Sequence, residues 1–164
     1  MNRLGINAAA LRSGLASGLP AAALAWIVFI GRGGSRGMTH QGTMLPMVVF
    51  VVEILLYGYA GFRLRRAGND RRTAMAGGLI AGWTAALLAE FPRGAILLLN
   101  HGYMRYLQGA LPHAGNLSLP WLPFTVAAAL IGALLAGSAL GAACGSIGAS
   151  CADAWSLPVP TQLP

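Results

Sequence analysis

Only four acidic residues occur in this chain, and two of them, Glu53 and Glu90, stand inside long apolar stretches. Glu53 lies near the middle of MLPMVVFVVEILLYGYAGF, where an ionisable side chain is costly and has to face a bundle interior, a cavity or a partner. Two chemistries fit it: a site that takes up a proton or cation, or a neutral carboxyl that hydrogen-bonds to another helix. At about 1.5 Å per residue it sits about 15 Å from either face of a bilayer, level with Trp83 and the polar Thr84 of a later stretch. Glu90 has Arg93 one helical turn on as its natural ion-pair partner. A proton path uses several such groups in series, and none is legible along the chain, so an interhelical hydrogen bond is the expectation for Glu53.

Other chemistry is sparse. His40, His101 and His113 fall on or beside connections and lack metal-ligand spacing, so no metal site is expected. His101, at the end of an apolar stretch, is the one histidine placed to ligate a pigment or haem. Cys144 and Cys151 are seven apart; on one helix they share a face but cannot bridge each other. There is no phosphate-cradling glycine loop with Lys and no Ser/His/Asp arrangement, so catalysis is not expected.

The elements that must carry these residues are four apolar stretches, 13–30, 43–62, 73–99 and 123–147. Each is near the roughly 20 residues a helix needs to cross about 30 Å of hydrocarbon. Among 164 residues the charged fraction is 9%, against about a quarter for soluble domains. The hydrophobic fraction is 56% and the mean hydropathy is +0.64. Such a chain cannot form an ordinary soluble surface, and an open sheet edge cannot be satisfied in lipid. The expected fold is an all-α integral membrane protein with four transmembrane helices, one domain over 1–151 followed by an irregular Pro-rich tail, 152–164.

The net charge of +7 rests on arginine alone, for no Lys occurs. Arg63, Arg65, Arg66, Arg71 and Arg72 crowd the second connection, and basic residues near span ends collect on the cytoplasmic side. That places the Arg-rich turn and both termini in the cytoplasm, and it reads the positive charge as a topology signal at an anionic leaflet rather than as nucleic-acid binding.

Small residues recur every fourth position. Gly14 and Gly18, Gly78 and Gly82, and Gly137, Gly141 and Gly145 each line one helix face, as close helix packing in membranes requires. Gly132, Ala136 and Ala143 widen the small surface of the last stretch, which suits an external helix, a lipid tail or a flat pigment. Gly14, Gly18, Ala21 and Ala22 repeat as Gly78, Gly82, Ala85 and Ala86, and Gly58 and Ala60 as Gly137 and Ala139. Two helical hairpins related by an axis along the membrane normal would produce that pattern. Pro92 predicts either a bent helix that runs to Leu99 or a helix end near Phe91. Tyr57, Tyr59 and Trp121 suit aromatic belts at the interfaces.

The passage LLYGYAGFRLRRAGNDRRTAMAGGLIAGWTAAL resembles small uncharacterised bacterial multi-pass inner-membrane proteins. The resemblance is one of compositional style over the middle of the chain and brings no catalytic residue with it. It implies an inner-membrane location. Glycine faces in excess of what four helices use, with few functional polar groups, lead to the expectation of a non-catalytic accessory subunit of a respiratory or photosynthetic complex. Its partners would be membrane lipids and other transmembrane subunits, with lipid, pigment or haem contributed by those partners. The alternative is a small transporter or channel with Glu53 as its midplane proton or cation site.

Overall fold

A computed structural model describes residues 7–31, 44–99 and 122–155. The described residues are helical throughout apart from the turn between α2 and α3 and the residue preceding α1. Helix α1 covers Ala8–Gly31, α2 Met44–Arg66, α3 Arg71–Ala85, α4 Phe91–Leu99 and α5 Leu122–Trp155; a wide π turn, Ala86–Glu90, joins α3 to α4. Three helices are long and apolar enough to cross a membrane: Ala8–Ile30, Arg71–Ile96 and Leu130–Trp155. The chain is therefore a helical membrane protein.

Its packing is the reverse of a soluble core. Along α1 the buried positions are Ala10, Ser13, Gly14, Ser17, Gly18, Ala21, Ala22, Ala25 and, as the one large side chain, Phe29, whereas Leu11, Leu15, Leu19, Ile27 and Ile30 point outward. Among the described residues no large side chain is completely buried. Without a hydrophobic drive between helices in lipid, association comes from close backbone approach, which needs small residues inside and leaves large apolar ones for the lipid.

The glycine faces engage within the chain. A Cβ on Gly14 would come within 2.6 Å of Ile80 Cβ, and one on Gly18 within 2.6 Å of Thr84 Cβ. Gly78 and Gly82 of α3 press on Gly137, Gly141 and Gly145 of α5, so that a methyl on Gly78 would overlap the Gly141 carbonyl. Gly61 and Gly58 of α2 meet Gly145 and Gly148 of the same helix. The surplus of glycine on α5 thus serves two simultaneous contacts, with α2 and with α3, and only Gly132 has open space beside it.

Helices α2 and α3 pack on each other, and each also packs on α1 and on α5. This arrangement corrects the expected hairpin symmetry. An axis exchanging α1 with α3 and α2 with α5 would turn the α2–α3 contact into an equally close α1–α5 contact, yet α1 and α5 flank the central pair instead. The sequence matches reflect shared glycine packing.

At one end, Ala10, Leu64, Ala74 and Ala149 cluster together, which brings the start of α1, the Arg-rich turn and the end of α5 to the same face. The turn is built by local chemistry. Gly68 takes φ +82°, and the Gly68 and Asn69 backbone N–H groups close α2 by bonding Arg65 O and Leu64 O, a left-handed glycine cap. Asp70 then caps α3 by accepting from Thr73 N at 2.9 Å. Hydrogen bonds from the Thr73 side chain and backbone hold the Asp70 carboxyl below its ordinary range, with Arg72 adding attraction. Across the turn, Asp153 receives Arg65 Nε at 2.6 Å and Arg71 Nη2 at 2.9 Å. Helix α5 runs on to Trp155, so 152–155 are helical where an irregular tail is expected, and this ion-pair cluster is what the extra turn reaches.

Pro92 widens the third rod without ending it. Proline has no N–H, and its ring crowds the carbonyl four residues earlier, here Leu88 O. The backbone widens just before it, with Phe91 N–H bonding back to Ala86 O, and resumes as α4 to Leu99. The freed Leu88 carbonyl accepts Trp26 Nε1 from α1 at 2.7 Å. An interhelical bond thus replaces the helical one that proline removes.

Candidate functional site

The wide turn pushes Glu90 and Arg93 toward α1 and α2, and the result is a cavity of about 450 Å³. It lies between α1, α2, the α3–α4 rod and α5, toward the bundle end opposite the Arg-rich turn, and Glu53, Tyr57, Glu90 and Arg93 supply its polar wall. Phe29, Val49, Phe50, Ala86, Ala136 and Leu140 supply much of the rest.

Glu53 is 8% exposed, and what exposure it has opens on this cavity. Among the described residues no hydrogen bond or ion pair is formed by its carboxyl. Thr84, expected at its level, does not provide one. The Thr84 hydroxyl donates to Ile80 O of its own helix at 2.8 Å, and its Cβ lies against Gly18. Trp83 faces the other way and donates Nε1 to the Ser138 hydroxyl on α5. The expected interhelical hydrogen bond of Glu53 is therefore absent among the described residues.

Glu90 and Arg93 form the expected pair. Arg93 Nη2 reaches both Glu90 carboxylate oxygens, at 2.6 and 2.8 Å, while Nη1 donates to Ala25 O of α1 at 3.1 Å. That last bond fixes the guanidinium against the neighbouring helix. One guanidinium and one carboxylate meet there, so the pair is close to charge-balanced and leaves Glu53 without a counter-charge among the described residues.

The structure brings together three of the polar residues singled out in the sequence, Glu53, Glu90 and Arg93, and leaves out Thr84. His101 lies outside the described residues, as do His40, His113 and Trp121. Among the described residues no group of His, Cys, Asp and Glu could hold a metal ion. Cys144 is buried and Cys151 exposed, both free thiols. Sequence reasoning missed Phe50 and Tyr57 as site residues. Tyr57 is 6% exposed and turned inward, which corrects its assignment to an interfacial belt; Tyr59 does face outward. The signal was present: positions 50, 53 and 57 are three and four apart and so share one helix face.

No family model, curated protein or solved structure matches the chain. Fold and site together define a class, a polytopic helical membrane protein with a carboxylate-bearing cavity within its bundle.

Proposed function

We propose that the chain is a small bacterial inner-membrane transporter or channel in which Glu53 binds a proton or cation. In this reading four helices span the bilayer, α2 included, with the Arg-rich turn and both termini in the cytoplasm. The observation that carries it is the state of Glu53: a carboxyl at mid-depth with no hydrogen-bond partner among the described residues, facing a cavity shared with a second carboxyl and an arginine. A structural carboxyl in a membrane is retained by its partner; one that faces open volume marks a ligand or ion site. The lack of a series of polar groups along the sequence matters less once folding sets Glu53, Tyr57, Glu90 and Arg93 around one space. Proteoliposomes holding the purified chain should show cation or proton flux that falls about tenfold or more in Glu53→Gln; equal flux in the variant removes this function.

The accessory-subunit reading keeps one observation. The outer face of α5 presents Ile131, Leu135 and Ile147 beside the open Gly132, a surface that a neighbouring transmembrane subunit of a respiratory or photosynthetic complex would cover. Its other support, the surplus of glycine, is taken up by contacts with α2 and α3. Its signature is co-purification with another membrane protein in mild detergent.

A further inference from the structure

The cavity's walls go further than a proton site requires. One carboxylate lacks a counter-charge, since Arg93 is engaged by Glu90 and Ala25 O. Formally Glu53, Glu90 and Arg93 sum to a single negative charge, which complements one positive charge and no more. An inorganic cation that sheds its water asks for about six oxygen ligands, and among the described residues the cavity offers it one free carboxylate and the Tyr57 phenol. The remaining wall is apolar, with the aromatic rings of Phe29, Phe50 and Tyr57. Aromatic faces attract organic cations and need no dehydrated metal geometry. A volume of about 450 Å³ falls within the range of small-molecule sites and is far larger than a proton carrier needs. Phe50 of α2 and Leu140 of α5 line the cavity and are also 48% and 38% exposed, so the space is open beside these two helices, whose outward apolar side chains suit lipid.

We infer that the cavity binds a lipophilic organic monocation, of the tertiary or quaternary ammonium or phosphonium class, with Glu53 as its counter-ion and Phe29, Phe50 and Tyr57 as its aromatic wall. This rests on the reading of Glu53 as a cation site and names the cation. Access from the lipid side suits an amphiphile already concentrated in the membrane. The Glu90 and Arg93 pair bounds the cavity and, by holding its own charge in balance, leaves the selection to Glu53.

Tetraphenylphosphonium is the probe, titrated calorimetrically into the full chain in lipid nanodiscs, with empty nanodiscs as background and triphenylphosphine oxide as the uncharged comparison. Saturable binding of about one phosphonium per chain, with no matching signal from the oxide, is expected. Glu53→Gln, checked for unchanged helicity and elution volume, should weaken it about tenfold or more. Glu90→Gln frees Arg93 and should weaken binding as Glu53→Gln does. Absence of saturable binding, or equal affinity in Glu53→Gln, overturns the inference. If phosphonium does not bind while proton flux still depends on Glu53, the inference falls and the proton site stands. If it binds through Glu53 without any flux, the inference stands and the transport reading falls.

Discussion

The four acidic side chains separate, among the described residues, into three with partners and one without. Asp153 is held by two arginines and Glu90 by one, while Glu53, the most deeply placed, has only a cavity before it. Asp70 shows the opposite use of a carboxylate, at the polar end of the bundle. Its hydrogen bonds from Thr73 depress its pKa below the ordinary 3.8. A depressed folded-state pKa contributes stability that is present above the unfolded value and lost as pH falls through the folded one. Acidification below about pH 4 should therefore loosen the start of α3. Asp70→Ala should lower the thermal midpoint of the detergent-solubilised chain at pH 7 and flatten its dependence on acid, whereas Asp70→Asn keeps the cap and loses only the pH dependence. A midpoint in Asp70→Ala equal to that of wild type would show that the cap is idle.

Among the elements, the wide turn before Pro92 is the device that makes the site. A regular α-helix through this point would turn Glu90 and Arg93 to a different angle about the rod, and the Trp26 bond to Leu88 O steadies the wide form. Interhelical hydrogen bonds in membranes average about 0.6 kcal/mol and reach about 1.7, so Trp26→Phe should cost about that much. Pro92→Ala returns an N–H that can bond Leu88 O within the helix. In the double variant the loss of the indole should then cost little, giving clear non-additivity in a thermal or denaturant cycle; strict additivity would mean that the two features are unconnected. The position of the irregularity was legible from Pro92 itself, but its form was not. A π turn depends on which neighbour can satisfy the freed carbonyl, and Trp26 is more than sixty residues away in sequence.

For the whole molecule, membrane character followed from composition, and the helices from the lengths of the apolar stretches. Spacing of glycines indicated close packing, yet not which helices meet: Gly145 serves two neighbours at once, Gly61 of α2 and Gly78 of α3, a fact of three-dimensional arrangement that a one-dimensional repeat cannot carry. The same limit hid the site. Glu53, Glu90 and Arg93 each stood out as polar residues in apolar surroundings, but their shared cavity exists only because α2 and the α3–α4 rod converge on it. Glu53 facing open volume, without a hydrogen-bond partner among the described residues, is the claim on which transport and cation binding both depend. A hydrophobic carbodiimide, which enters from lipid and modifies carboxyls that are not ion-paired, tests it directly when labelled sites are mapped by mass spectrometry at mildly acid pH. The chain should be modified at Glu53 in preference to Glu90, with tetraphenylphosphonium slowing the reaction; modification of Glu90 with Glu53 untouched would contradict it.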